Sequence, residues 1–161
     1  GCANLRVAPV MADVLAGRGT NALVVRGSDG LDEVTIFADT EVWDATRGGA
    51  VHLDSIRLAA TGVSEGQASE LKGGTAELNA KIARDMFGGA TEGPLRAVRD
   101  AVVLNTAAAL VAWDAANGIH SDEDITARVI AAMPRAAEAI DSGAVLRLLD
   151  RWAAVSSEAA R

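Results

Sequence analysis

An α/β domain, a central sheet flanked by helices, is the fold class this sequence predicts, and three features predict it. Ala22, Leu23, Val24 and Val25 form a short apolar run without polar alternation, the pattern of a strand covered on both faces. Two later stretches alternate apolar and polar residues, as half-buried strands do. From residue 75 onward apolar residues recur at helical spacing almost to the end of the chain. The 161 residues suffice for one domain with a core of its own. Only three Trp and two Phe are present, so the core must come from Ala, Val, Leu and Ile.

Residues 5–15 read as a first helix. Pro9 suits its first turn, Val7, Val10, Met11, Val14 and Leu15 make one apolar face, and Gly17 and Gly19 end it. The strand at residues 22–25 follows, and its cover on both faces argues for a parallel sheet. Val34, Ile36 and Ala38 alternate with Thr35, Phe37 and Asp39, which predicts a strand continuing towards Val42. Arg47-Gly48-Gly49 reads as a turn, and Val51 and Leu53 alternate with His52 and Asp54 in another half-buried strand. Residues 34–58 thus read as an antiparallel excursion from the main sheet, and residues 59–70, with Gly62 and Gly66, as a surface loop.

The remainder is helical. Thr75 is placed as an N-cap, with Glu77 in the first turn favouring the helix dipole, and Gly88-Gly89 ends that helix after Phe87. A longer helix spans residues 94–116. Between residues 101 and 112 it has only Asn105 and Thr106 as polar residues, so it belongs in the middle of the domain. Ser121 is placed as the next cap, followed by Asp122, Glu123 and Asp124. Ile125, Val129, Ala132, Met133, Ala136 and Ile140 keep helical spacing, and Pro134 predicts a kink or a split. Asp141-Ser142-Gly143 makes a corner, and a last helix carries Val145, Leu148, Leu149 and Trp152 on one face.

The net charge of −7 argues against nucleic acid held on a broad basic surface. It does not argue against a phosphorylated small molecule, because a bound cation inverts the local sign. The single Cys2 can form no internal disulfide, which points to a reducing compartment and hence the cytoplasm. No apolar run is long enough for a membrane helix, so no membrane partner is expected. The chain opens at Gly1 and reads as a piece of a longer polypeptide.

The candidate chemistry lies in Arg26-Gly27-Ser28-Asp29-Gly30-Leu31-Asp32-Glu33, where the first strand runs into a glycine-containing loop that ends in adjacent carboxylates. Acidic pairs in loops are most often solvated surface. Here the pair follows the C-terminal end of a buried strand, where open α/β sheets bind ligands. Two hard oxygen donors there suit Mg²⁺, which takes one or two carboxylates and completes its shell with waters and phosphate oxygens. Asp32 and Glu33 are therefore the candidate magnesium ligands. Leu71-Lys72-Gly73-Gly74-Thr75 also leads into a helix, but it lacks the Lys-Ser/Thr ending of a P-loop and reads as a glycine turn before a capped helix. His52 and His120 have no partner at a ligand spacing and read as surface groups. Asn105 reads as a buried amide satisfied by neighbouring backbone.

Five motifs together resemble the C-terminal half of the anthranilate phosphoribosyltransferase family. They are Ala12-Asp13-Val14-Leu15, Val24-Val25 through Glu33, Leu71-Lys72-Gly73-Gly74-Thr75-Ala76-Glu77-Leu78-Asn79-Ala80, Arg99-Asp100-Ala101-Val102-Val103-Leu104-Asn105 and Ala139-Ile140-Asp141-Ser142-Gly143. The resemblance implies that residues 1–161 are the C-terminal part of the nucleoside phosphorylase/phosphoribosyltransferase α/β domain. It implies transfer of phosphoribose from phosphoribosyl pyrophosphate to anthranilate in tryptophan biosynthesis, with Mg²⁺ and a homodimer. The family's aspartate-glutamate metal pair falls on Asp32 and Glu33. Arg26 stands where the family commonly has histidine. The family's pyrophosphate loop and its leading helical domain would precede Gly1, so this chain alone is expected to be inactive and ordered only beside that N-terminal half. Two other readings stand beside this one: a pyrimidine-nucleoside phosphorylase of the same fold group, and a non-catalytic relative that binds another molecule.

Overall fold

A computed structural model describes residues 1–159. In chain order its elements are helix α1 (Ala8–Gly17), strands β1 (Leu23–Gly27), β2 (Thr40–Asp44) and β3 (His52–Ile56), and helices α2 (Ala76–Phe87), α3 (Pro94–Ala116), α4 (Ile125–Asp141) and α5 (Ala144–Ala159). Short 3-10 turns at Leu58–Ala60 and Ala68–Leu71 fill the segment between β3 and α2.

The three strands form one sheet in the order β1-β2-β3, antiparallel throughout, with Val25 opposite Val42 and Val24 opposite Trp43. Alternate residues face opposite sides of a strand. Val25, Val42 and Ile56 therefore join one core with Leu104, Ala107 and Val111 of α3 and Ile125 and Val129 of α4. Val24 and Trp43 join a second core with Cys2, Ala8 and Ala12. The apolar run at residues 22–25 is covered on both faces, as its composition predicts. The parallel direction expected for it is not what the chain forms: β1 pairs with β2, which returns antiparallel through residues 28–39. An all-apolar run reports cover on two faces and carries no record of strand direction. On its other edge β1 meets the N-terminal segment, where the Cys2 N–H donates to the Val25 carbonyl at 3.0 Å.

Three local expectations are corrected. Residues 34–39 are not strand. Val34, Thr35 and Ile36 are buried in succession rather than in alternation, and the Thr35 N–H donates to Thr40 Oγ1 at 3.2 Å instead of to a ladder. Helix α1 has Pro9 in its first turn as expected, but it buries Ala8 and Ala12 while Val10 and Val14 are 58% and 54% exposed. The small residues let the helix sit close on Val24 and Trp43. Helix α4 is capped by Asp124, whose Oδ1 accepts from the Ala127 N–H at 2.8 Å, and not by Ser121. Asp54 Oδ2 on β3 accepts the Ile125 N–H as well, at 3.0 Å, so the helix starts where two carboxylates meet its free N–H groups.

Helices α2 and α3 follow the sequence closely. Thr75 caps α2 through the Leu78 N–H, Gly88 is its C-cap, and α3 spans residues 94–116 with Leu104 and Ala107 wholly buried. Helix α4 runs through Pro134 without a break, because Val129, Ala132, Ala136 and Ile140 on one face hold it against the core. The expected apolar face of α5 is largely uncovered here, with Leu148 56% and Trp152 71% exposed. Among the described residues no helix is long and apolar enough to cross a membrane.

Candidate active site

The segment from Gly27 to Val34 is built by hydrogen bonds more than by packing. The Gly30 N–H donates to the Gly27 carbonyl at 2.9 Å, and the Gly27 N–H donates to the Leu31 carbonyl at 2.8 Å. Gly30 takes φ +101°, which L side chains rarely adopt, so glycine suits this corner. Asp29 Oδ1 accepts the Leu31 N–H at 3.1 Å, and its Oδ2 accepts the Thr35 hydroxyl at 2.7 Å. Both of its oxygens are taken by the turn, so Asp29 is a brace and Asp32 and Glu33 are the carboxylates presented to solvent.

Gly27 makes that brace possible. A Cβ there would lie 2.2 Å from Asp29 Oδ1 and 3.0 Å from Thr35 Cγ2. Gly27→Ala should therefore displace the Asp29 carboxylate and cost about 1–3 kcal/mol in the complete polypeptide, read as a lowered urea midpoint. A stability equal to the parent's would show that the turn relaxes freely.

Asp32 and Glu33 are both exposed and stand on the bend between this turn and buried Val34. The Asp32 main chain lies against Gly1, where a Cβ would fall 1.3 Å from the Asp32 carbonyl oxygen. Glu33 lines a cleft of about 430 Å³ together with the polar Lys72 and Asn79, Gly73, and the apolar Ile82, Met86 and Val102. Asp32 is not among the residues that line it. The sequence alone does not reveal that residues 33 and 71–73 share a cleft, since 38 positions of chain separate Glu33 from Leu71.

The Leu71–Thr75 segment is the glycine turn that its sequence suggests. Asn79 Oδ1 accepts the Gly74 N–H at 2.8 Å, and Thr75 begins α2. Glu70, the other carboxylate on the cleft, accepts the Gln67 N–H through Oε2 at 2.8 Å. Arg26 is engaged by other partners: its Nε donates to the Ala3 carbonyl at 3.0 Å, and its Nη1 donates to the Gly27 carbonyl at 3.3 Å and pairs with Glu41 at 3.2 Å. His52 and His120 are exposed, as expected.

Asp32 and Glu33 offer the anionic oxygen donors that magnesium prefers, in the number it takes when a phosphorylated ligand supplies others. Among the described residues no three His, Cys, Asp or Glu side chains gather into a metal cage. The pair thus fits a cation that arrives with a substrate better than one held by protein alone.

A second polar cluster, unforeseen in the sequence, lies inside the protein between β2 and α4. Asp44 is wholly buried and receives Arg128 Nη1 at 2.7 Å, the Thr46 hydroxyl at 2.6 Å and Arg47 Nε at 3.1 Å. Burial alone would raise the Asp44 carboxyl, but the Thr46 bonds and the Arg128 and Arg47 guanidinium groups together hold it below its ordinary value. A signal for it exists in the sequence: Arg128 falls within the stripe of Ile125, Val129 and Ala132 that faces the core.

Residues 1–146 match the family model described as "Glycosyl transferase family, a/b domain". The chain belongs to this glycosyl transferase family. It is 46% identical over all of its 161 residues to an anthranilate phosphoribosyltransferase of Saccharopolyspora erythraea, covering 43% of that protein. It is 45% identical to the enzyme of the same name from Nocardia farcinica, with 98% of this chain and 44% of that protein covered. The chain thus spans less than half the length of the curated relatives it matches. Anthranilate phosphoribosyltransferase from Thermus thermophilus superposes with a TM-score of 0.71 at 28% identity, over 94% of this chain and 40% of that one. The Saccharomyces cerevisiae enzyme in complex with PRPP and Mg superposes with a TM-score of 0.74 at 24% identity, over 93% and 40% of the two chains, a likeness of fold. The glycosyl transferase α/β fold expected from the sequence is thereby established for this chain, as helices around a small antiparallel sheet.

Proposed function

We propose that residues 1–161 are the C-terminal part of the α/β domain of an enzyme that transfers phosphoribose from phosphoribosyl pyrophosphate to anthranilate, in tryptophan biosynthesis. One observation carries the reading: the braced acidic turn after β1 places Glu33 on a cleft, in a chain 46% identical to an anthranilate phosphoribosyltransferase. In this reading the N-terminal half of the polypeptide supplies a helical domain and the pyrophosphate loop. The complete protein works as a homodimer in the cytoplasm.

Asp32 and Glu33 hold Mg²⁺, and neither acts as a proton donor or acceptor. Bound magnesium would offset charge on the departing diphosphate oxygens. The protein's own contribution is placement. The Asp29 brace holds the turn, so the acids meet the diphosphate without a reorganisation of the loop. Alignment of the amine with the anomeric carbon supplies much of the remaining acceleration. Acceptor recognition belongs to the N-terminal half.

The test is a paired assay on the complete polypeptide. Anthranilate with phosphoribosyl pyrophosphate and Mg²⁺ should release diphosphate and form the N-phosphoribosylated product. Thymidine with inorganic phosphate should give no turnover. Phosphorolysis of thymidine without transfer to anthranilate would assign the chain to the nucleoside phosphorylases instead. No turnover with either pair would favour a non-catalytic relative.

A further inference from the structure

Helix α3 runs through the centre of the protein, and Asn105 lies on it between wholly buried Leu104 and Ala107. Its amide reaches across 71 positions of sequence to one residue of the acidic segment. Asn105 Oδ1 accepts the Val34 N–H at 3.0 Å, and Asn105 Nδ2 donates to the Val34 carbonyl at 2.8 Å. The same Nδ2 donates to the Ala101 carbonyl at 3.0 Å, which ties the amide to its own helix.

A planar side chain that both donates to and accepts from a single residue sets the position and the orientation of that residue's main chain. Val34 immediately follows Glu33, so the clamp acts one peptide bond from the acidic pair. On the other side Asp29 braces the Leu31 N–H, and it also holds the Thr35 hydroxyl beyond Val34. Asp32 and Glu33 themselves are exposed. Their place is therefore set by main chain held at both ends, and Asn105 is the only one of these holds that comes from the buried helix.

We propose that Asn105 is a positioning residue for the candidate metal ligands: its two bonds to Val34 set where Glu33 stands on the cleft. The proposal rests on the magnesium reading of Asp32 and Glu33. Outer partners of metal ligands commonly change metal affinity by about 10–100-fold when removed, and the clamp belongs to that order.

The experiment uses the complete polypeptide with phosphoribosyl pyrophosphate, and Mn²⁺ as the probe, its binding followed by the relaxation of solvent water protons. Asn105→Ala should weaken Mn²⁺ binding about tenfold and raise the Mg²⁺ concentration for half-maximal rate by the same factor. Leu104→Ala, which removes core packing one position away, should lower the melting temperature yet leave Mn²⁺ affinity unchanged. Asn105→Asp keeps an acceptor for the Val34 N–H and should fall between Asn105→Ala and the parent; it decides the matter if Asn105→Ala does not fold. The combined Asp32→Asn and Glu33→Gln variant separates the two levels. If that variant binds Mn²⁺ as the parent does, the magnesium reading fails and this inference with it. If it loses Mn²⁺ while the Asn105 variants bind as tightly as Leu104→Ala, the inference alone is overturned.

Discussion

Replacing Asp32 by Asn together with Glu33 by Gln in the complete polypeptide is expected to lower kcat/KM for phosphoribose transfer by roughly a hundredfold or more. Charge stabilisation by a bound cation contributes several kcal/mol to such a transition state, and about 1.4 kcal/mol corresponds to a factor of ten. The substitutions keep the size of both side chains and remove only their charge. The turn should survive, since its hydrogen bonds come from Asp29, Thr35, Gly27 and Asn105 rather than from the two acids. The decisive measurement is a magnesium titration of the rate alongside a melting curve. The expected pattern is a steep loss of magnesium response at nearly constant melting temperature. A variant that keeps the parent's rate at every magnesium concentration would remove the acids from the mechanism.

Arg128→Met should destabilise the complete polypeptide by about 3–5 kcal/mol at neutral pH, because it leaves a buried carboxylate without its principal counter-charge. The Asp44 side chain is 1% exposed and that of Arg128 is 7% exposed, so water offers little compensation. Thr46 and Arg47 still face Asp44 and keep the loss near the lower end. In the parent, the Asp44 carboxyl is held below its unfolded value of about 3.9. Its contribution is thus present in full above that pH and is lost as pH falls through the folded value. In Arg128→Met the burial that raises this carboxyl is no longer balanced by Arg128. Asp44 in the variant should therefore take up its proton at a higher pH than in the parent, so the stability gap between the two should narrow as the pH falls. Urea unfolding at several pH values reads this directly. A stability gap that stays constant with pH would mean that packing of the Arg128 stem, and not its charge, matters.

The sequence spoke most clearly where one physical rule acted alone. Thr75 is the sole capping residue between Gly74 and the apolar spacing that follows, and it caps α2. The apolar middle of α3 admits only a buried place, and Asn105 there is met by backbone as its burial requires. Legibility failed where two rules competed. Residues 121–124 offer three capping side chains, Ser121, Asp122 and Asp124, and the Asp54 carboxylate on β3 helps set the start at Ile125, which no local pattern shows. Residues 34–39 alternate on paper, but Thr35 is buried through its own bonds to Asp29 and Phe37, so the polar letter is not a solvent-facing one. For the site, the acidic pair and its glycine turn were legible. The cleft shared with Lys72 and Gly73 and the identity of the Asn105 partner were not, because both join segments far apart in the chain.

The zero exposure of Ala8 and Ala12 governs how this part of the chain can change over generations. A methyl group is the largest that the seam between α1 and the sheet admits at those positions, since anything bulkier would prise the helix away from Val24 and Trp43. Substitution there is confined to alanine and glycine. The plainest letters of the segment are thus its least replaceable, while the conspicuous valines at positions 10 and 14 leave this seam undisturbed.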